Sequence, residues 1–233
     1  MRTEYFTYTM MRNWIQNDMV EDGFVFFSMR SNTNGLTKQL IELNNASMPT
    51  ATKYFEELHS ITLSALCNKI RKYALQERVR VFIIDNFNSI VADGVHNSRS
   101  ERQFISWSLL QLARELDIII IIDAILFSHY GVEYRRQAPI LADLGYEGLS
   151  GDLDVFSDVV FGFWSPEKLH IFENYLGEDL HDAVEIEILK NVNNDISEGR
   201  VLTLYLDSQT KCLKGERTIP DSRECVSEIA GPF

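Results

Sequence analysis

The sequence predicts an α/β fold with a mostly parallel central sheet, flanking helices and added antiparallel strands on its C-terminal side. Segments with strand and helix patterns alternate from residue 4 to residue 122, and this order builds parallel sheets. The runs Val81–Ile84 and Ile118–Ile122 are continuously apolar, which is typical of strands buried on both faces. After residue 155, strand patterns follow one another with little helix between them, which indicates antiparallel pairing.

The first part of the chain supplies helices, strands and one turn. Spacing of apolar residues predicts a helix over residues 4–16, with Phe6, Met10 and Trp14 on one side. The remaining predictions are a strand over 24–28, a helix over 32–43, a turn over 44–49, helix in two pieces over 50–76, and a strand over 78–84.

The second part begins with a polar loop and an amphipathic helix. The helix covers residues 101–116, with Phe104, Ile105, Leu109, Leu112 and Leu116 on one face. The further predictions are a loop over 88–100, a strand over 118–122, a loop over 127–139, a short helix over 140–144, and strands over 155–163, 169–172, 184–189 and 201–206. Cys67, Trp107 and Trp164 are predicted to be packing residues.

Length and composition indicate one globular domain. We expect it to cover residues 1–213, with a polar tail over residues 214–233. No apolar run approaches the roughly 20 residues that span a bilayer, so no membrane partner is expected. Three widely spaced cysteines favour a reducing cytoplasm, and five scattered histidines show no metal-ligand spacing. The net charge of −12 disfavours broad adhesion to nucleic acid but leaves a locally basic groove open.

Asp85 is the most informative single residue. It follows the strand at 78–84 directly, and open α/β sheets bind ligands at the carboxyl ends of their strands. Two interpretations stay open: a ligand of a Mg²⁺-nucleotide, or an acid that caps a turn after a buried strand. Asp123 also follows a strand, and a solvent-facing acid is the favoured interpretation for it.

Six short motifs in order make residues 2–207 resemble the RecA-like C-terminal ATPase domain of DnaB-type replicative DNA helicases. They are Phe24–Met29, the Walker B strand Val81–Asp85, Leu112–Leu116, Pro139–Leu144, Ser157–Val160, and Lys190–Asn191. The resemblance implies a RecA-like P-loop NTPase fold, ATP and Mg²⁺ as cofactors, and ATP-driven unwinding in DNA replication. It also implies a hexameric ring around single-stranded DNA, with primase or other replication proteins as partners.

The resemblance also implies roles for particular residues. Asp85 takes the Mg²⁺-ligand and catalytic position, and Arg2 and Thr3 occupy the end of the nucleotide-binding phosphate loop. Lys190 keeps the first half of a catalytic finger that reaches the neighbouring subunit. The DNA-binding candidates are Arg135, Arg136 and Gly148. For Arg135 and Arg136 a solvated loop pair is the alternative, and for Lys190 an ordinary strand-end lysine.

Several family positions are substituted in this chain. Arg30 replaces the catalytic glutamate, and a guanidinium cannot accept a proton from water. Arg30 either fills the vacated site or is a solvent-facing loop residue. The other departures are Met1–Thr3 for the phosphate-loop end, Ala124–Ile125 for a Ser-Gln pair, Gly145–Tyr146 for an Arg-Glu pair, and Val192 for the finger arginine.

Three hypotheses follow from these similarities and departures. The first is a helicase motor domain that is truncated or degenerate in this form. The second is a non-catalytic RecA-fold subunit that binds DNA or a protein partner. The third is an unrelated α/β protein that shares only generic strand patterns.

Overall fold

A computed structural model of the protein describes residues 3–17, 23–29, 34–47, 53–92, 94, 98–124, 153–174, 176–192 and 199–215. The elements in chain order are α1 (Thr3–Asn17), β1 (Phe24–Ser28), α2 (Asn34–Ser47), β2 (Lys53–Glu57), β3 (Ile61–Thr62), α3 (Leu63–Gln76), β4 (Val81–Asp85), β5 (Ile90–Val91), α4 (Ser98–Leu116), β6 (Ile119–Asp123), β7 (Val159–Trp164), β8 (Ala183–Asn191), β9 (Val201–Leu206) and β10 (Leu213–Lys214). Within these ranges, no helix has the length and apolarity needed to cross a membrane.

The central sheet has the strand order β2–β1–β4–β6, and every pairing in it is parallel. All residues of β1 and β4 are buried, because these two strands lie in the middle of the sheet with helices on both faces. The predicted α/β class and parallel central sheet are therefore confirmed.

Helices from two parts of the chain cover the two faces of this sheet. The α3–α4 face buries Leu66, Ile70, Ile105 and Leu109 against Phe27, Phe82 and Ile84. The α1–α2 face buries Tyr8, Met11, Ile15 and Leu40 against Phe24, Phe26 and Ile83. Alternate residues of β1 and β4 thus point into different hydrophobic clusters, as the pleat of a strand requires.

A second sheet is antiparallel and has the order β10–β9–β8–β7. Helix α1 contacts this sheet as well. The ring of Phe6 lies 4.8 Å from the ring of Phe163, and Thr9 Oγ1 accepts the Leu213 amide at 2.9 Å. The strands predicted over 155–163, 184–189 and 201–206 are confirmed and pair in antiparallel fashion, but in the described part of the chain they form a sheet of their own.

The prediction of helix over residues 50–76 was wrong at its beginning. β2 occupies Lys53–Glu57 and pairs in parallel with β1, and the helix starts only at Leu63 after its cap residue Thr62. The carboxylate of Glu56 accepts hydrogen bonds from Lys69 Nζ and from the Tyr73 hydroxyl, both at 2.6 Å. Burial, together with this hydrogen bond, raises the pKa of Tyr73. These contacts with α3 stabilise a strand whose own sequence is largely polar.

Other boundaries also differ from the predictions. Helix α2 extends into the predicted turn as far as Ser47, α4 begins at Ser98, and β7 begins at Val159. Residues 169–172 do not form a strand, because a 3-10 helix over Pro166–Leu169 precedes a left-handed residue, His170. Proline at the first helical position fixes φ for such a turn. The predicted short helix at 140–144 lies outside the described residues.

Two predicted helix faces need correction. In α1 the most buried stripe is Tyr8, Met11 and Ile15, and Phe6, Met10 and Trp14 are only half-buried beside it. In α4 the burial of Ile105, Leu109 and Leu112 is confirmed, but Phe104 is exposed. Trp107, predicted to be a packing residue, is 47% exposed and stacks on Phe104 with ring centroids 6.4 Å apart.

The turn between β9 and β10 gives the fold an acid-sensitive contact. The buried Asp207 carboxylate accepts hydrogen bonds from Lys214 Nζ and from the amides of Gln209 and Thr210, and the Lys214 bond holds its pKa well below the usual value. A carboxylate whose pKa is lower in the folded state than in the unfolded state stabilises the fold at pH values above the unfolded pKa of about 4. This stabilisation is lost as the pH falls from about 4 towards the folded-state pKa.

We therefore expect the free energy of unfolding to fall more steeply below pH 4 in the natural chain than in Asp207→Asn. Urea unfolding at a series of pH values, followed by circular dichroism, measures both slopes. Equal slopes in the two proteins would show that the Asp207–Lys214 contact does not contribute to acid sensitivity.

Candidate functional site

Four strands of the central sheet end in polar side chains that lie in one row. Ser28 is paired in register with Glu57 on one side and with Asp85 on the other, and Asp85 is paired with Asp123. Residues in register on parallel strands point to the same face of the sheet. The row therefore brings one hydroxyl and three carboxylates to the carboxyl edge, where α/β sheets bind ligands.

Asp85 is the buried carboxylate of this row, with 1% of its surface exposed, and Ser28 beside it is buried as well. Burying a carboxylate costs free energy unless hydrogen bonds or a cation compensate for the lost water. Carboxylate and hydroxyl oxygens are also the ligands that Mg²⁺ prefers, and nucleotide sites supply one or two carboxylates and leave the rest to phosphates and water. Asp85 with Ser28 and Asp123 therefore fits the protein side of a Mg²⁺-nucleotide site.

No group of three or more His, Cys, Asp or Glu side chains suited to a metal occurs among the described residues. In the described part of the chain, the side chains of this row therefore do not form a closed metal site with protein ligands alone. An open site that shares its metal with a bound phosphate needs no such cage.

A turn that follows Asp85 is held in place by the first turns of α4. The Arg102 guanidinium donates to the carbonyls of Phe87, Asn88 and Ile90 at 3.2, 3.3 and 3.1 Å, and its Cζ lies 5.4 Å from the centre of the Phe87 ring. Glu101 Oε1 accepts the Ala92 amide at 2.8 Å. This pair of α4 residues therefore fixes the backbone that leaves the candidate site.

Sequence reasoning did not single out Glu101 or Arg102. An acid next to a base near the start of a helix is a common surface pattern, and nothing in it indicates contact with a turn nine or more residues earlier in the chain. Only the fold shows that Arg102 reaches three carbonyls of that turn.

Lys190 lies near the end of β8, a strand of the antiparallel sheet and not of the central sheet that carries the row. Its Nζ donates to the backbone carbonyl of Asp154 at 2.6 Å, so the ammonium is bound within its own chain. Val192, at the position of the finger arginine, is 55% exposed.

The other predicted site residues are only partly described. Thr3 begins α1, and Asp123, for which a solvent-facing acid was favoured, is paired in register with Asp85. Arg2, Arg30, Arg135, Arg136 and Gly148 lie outside the described residues, as do Ile125, Gly145 and Tyr146.

A separate cavity of about 370 Å³ lies between α3 and α4. Leu63, Cys67, Trp107 and Leu112 are among the residues that line it, and Arg71 pairs with Glu115 there at 2.8 Å. Burial raises the pKa of Cys67, which keeps this side chain a thiol at neutral pH. The cavity therefore shows no activated nucleophile.

Comparison with known proteins gives a family from the sequence and a shared fold from the structure. The DnaB-like helicase C terminal domain family matches residues 4–211. The replicative DNA helicase DnaB of Treponema pallidum (strain Nichols) is 35% identical over 131 residues, which are 52% of this chain and 29% of that protein. The chain thus spans less than a third of the curated relative that it matches.

Two solved structures share the fold. One, described as an ATPase domain, superposes with a TM-score of 0.70 at 16% identity, over 93% of this chain and 81% of the other. "The Structure Of A DnaB-Like Replicative Helicase And Its Interactions With Primase" superposes with a TM-score of 0.69 at 17% identity, over 91% of this chain and 54% of the other. With the match over residues 4–211, these similarities confirm the predicted RecA-like fold, and the chain belongs to the DnaB-like helicase C-terminal domain family.

Proposed function

We propose that this chain serves as the nucleotide-binding part of a replicative DNA helicase, with Mg²⁺-ATP bound at the carboxyl edge of the central sheet. The observation that carries the proposal is the burial of Asp85 at the end of β4, in register with Ser28 and Asp123. A carboxylate at this position in P-loop NTPases holds the Mg²⁺ of the nucleotide.

The same proposal assigns roles to residues beyond this row. Arg2 and Thr3 contact the phosphates, Lys190 serves a nucleotide of the neighbouring subunit, and Arg135, Arg136 and Gly148 contact single-stranded DNA. The working assembly is a hexameric ring, with residues 1–213 as the domain and residues 214–233 as its tail. Primase is a candidate partner, because a similar helicase structure is described together with its interactions with primase.

Asp85→Asn tests the nucleotide site. We expect about a tenfold weaker affinity for a fluorescent ATP analogue in the presence of Mg²⁺, because an amide oxygen carries no charge to hold the metal; this corresponds to about 1.4 kcal/mol. Titration with and without Mg²⁺ measures the effect, and the difference between the two proteins should vanish without the metal.

Asp117→Asn is the matched control for this substitution. Asp117 is an exposed residue in the left-handed region (φ 53°), which asparagine also tolerates. We expect its affinity to equal that of the natural chain. If the natural chain binds no Mg²⁺-nucleotide, or if Asp85→Asn binds as tightly, the nucleotide proposal is wrong.

A non-catalytic RecA-fold subunit is the second candidate function. Two observations favour it: the Lys190 ammonium is bound to the Asp154 carbonyl, and an exposed valine replaces the finger arginine at position 192. Such a finger raises the rate of hydrolysis on the order of 10³–10⁵-fold. A chain without it is therefore expected to bind nucleotide without hydrolysing it.

The combined Arg30→Glu and Val192→Arg variant separates the two candidates. A steady-state phosphate-release assay compares it with the natural chain under identical conditions. Hydrolysis that appears only in the variant supports the non-catalytic subunit, whereas strong hydrolysis by the natural chain excludes it.

A further inference from the structure

The chain leaves the candidate site through a short 3-10 turn over Phe87–Ser89. Asn86, which lies between this turn and Asp85, is buried, and so is the Phe87 ring. The Asn86 carbonyl accepts the Ser89 amide at 3.3 Å, and the Ser89 hydroxyl donates to Oδ1 of Asn86 at 3.3 Å. Because Asn86 follows Asp85 directly, the conformation of this turn determines how the backbone leaves the residue that carries the carboxylate.

Arg102 of α4 binds the backbone of the same turn. Its guanidinium donates to the carbonyls of Phe87, Asn88 and Ile90, at 3.2, 3.3 and 3.1 Å. The last carbonyls of a helical turn have no partner within that turn, so they need donors from elsewhere. A planar guanidinium can serve several such acceptors at once, and a charged donor makes stronger hydrogen bonds than a neutral one. Arg102 therefore links α4 to the chain that leaves Asp85.

Strand pairing fixes the backbone on both sides of this turn. Up to Asp85 the chain is held by the pairing of β4 with β1 and β6. From Ile90 it is held again by the pairing of β5 with β3. Between these two points lie residues 86–89, and Arg102 binds the carbonyls of two of them and that of Ile90. The hydrogen bonds of Arg102 thus act on the segment that strand pairing does not hold.

Arg102 approaches the turn from the face of the sheet opposite to the Asp85 side chain. Side chains alternate along a strand, so Asp85 points to the same face as Ile83, which belongs to the cluster beneath α1 and α2. Phe87, whose ring centre lies 5.4 Å from the Arg102 Cζ, belongs to the cluster beneath α3 and α4. Arg102 is therefore placed to act on Asp85 through the backbone and not as a ligand of the nucleotide.

We propose that Arg102 is a positioning residue for the Mg²⁺-binding carboxylate of Asp85. By holding the turn it restricts the orientations of this carboxylate before the nucleotide binds. A group that is already ordered loses less conformational entropy on binding, and the groups that orient a metal ligand affect metal affinity nearly as strongly as the ligand itself. The inference rests on the proposed nucleotide site at Asp85 and adds to that site a residue of α4.

Residue-resolved amide exchange in the ligand-free chain tests the first step. The amides of Ser89 and Ile90 donate within the turn. In Arg102→Ala we expect both to exchange about tenfold faster relative to the amides of β4, because the turn opens more often. Leu109→Ala is the matched control: Leu109 is buried on the same helix and its loss also lowers stability, but it makes no hydrogen bond to the turn. Equal exchange of the two amides in both variants would overturn the proposal.

The affinity for a fluorescent ATP analogue tests the second step, at a temperature where circular dichroism shows every variant to be folded. For Arg102→Ala we expect about fivefold weaker binding with Mg²⁺ and unchanged binding without it, because the carboxylate acts on the nucleotide through the metal. The loss should stay below that of Asp85→Asn, which removes the charge itself. Arg102→Lys should lose only about twofold, and it replaces the alanine variant if that variant does not fold. Leu109→Ala should bind as tightly as the natural chain.

The double variant of Asp85→Asn and Arg102→Ala shows whether Arg102 acts through Asp85. We expect it to bind Mg²⁺-nucleotide as Asp85→Asn does, because the carboxylate that Arg102 positions is already gone. A loss equal to the product of the two single losses, about fiftyfold, would mean that Arg102 acts independently and would overturn the proposal.

The outcomes also separate this inference from the nucleotide proposal. If the natural chain binds no Mg²⁺-nucleotide, both are wrong. If the natural chain binds it and Arg102→Ala binds it as tightly, although its turn amides exchange faster, the nucleotide site stands and the positioning role alone is wrong. Weaker binding that depends on Mg²⁺, with faster exchange in the turn, is the expected result.

Discussion

Phe82→Ala is expected to lower the free energy of unfolding by about 3–5 kcal/mol, the usual cost of removing a large aromatic side chain from a core. Phe82 is fully buried in β4, between β1 and β6, and belongs to the cluster beneath α3 and α4. Its neighbours in β4 are buried as well, so the space left by the substitution lies inside the core. Urea unfolding monitored by circular dichroism measures the change.

Phe104→Ala is the control for this prediction. The lost side chain is the same, but Phe104 lies 46% exposed on α4, so we expect a loss below about 1 kcal/mol. Similar losses in the two variants would contradict the position of Phe82 in the core.

Arg102→Ala is expected to cost about 2–3 kcal/mol, because three backbone carbonyls of the turn after Asp85 lose a charged donor at once. Arg102→Lys should fall between the alanine variant and the natural chain, since one ammonium cannot replace a planar guanidinium at three acceptors. Thermal unfolding of the natural chain and the two variants gives their order of stability.

Arg114→Ala controls for the loss of a positive charge on the same helix. Arg114 is an exposed residue in the last turn of α4, where a cation contributes less than about 1 kcal/mol. If Arg102→Ala is as stable as Arg114→Ala, the hydrogen bonds from Arg102 to the turn after Asp85 do not contribute to stability.

Local sequence patterns predicted the central strands because a strand that is buried on both faces has apolar residues at consecutive positions. β1 and β4 are apolar at nearly every position, and both lie where the pattern indicates. β2 was missed for the opposite reason. Its five residues are mostly polar or charged, and its strand conformation depends on pairing with β1 and on the contacts of Glu56 with α3. Such contacts join distant parts of the chain and leave no local signal.

In the candidate site, too, some features follow from a local sequence pattern and others depend on how distant strands pair. Asp85 could be singled out because an acid after a buried strand is a local pattern. That Ser28 and Asp123 stand beside it depends on the register of three strands, which no single segment encodes. The sequence favoured a solvent-facing role for Asp123, and only the pairing of β6 with β4 brings it next to Asp85.

Helix α1 packs against both sheets, and this affects how cooperatively the protein unfolds. Its first turns belong to the hydrophobic cluster of the antiparallel sheet and its later turns to that of the parallel sheet, so its fifteen residues cannot unfold without exposing parts of both. Neither sheet can then melt while the other keeps its full set of contacts. We therefore expect the two sheets to unfold together, so that a substitution that destabilises the antiparallel sheet also destabilises the strands around Asp85.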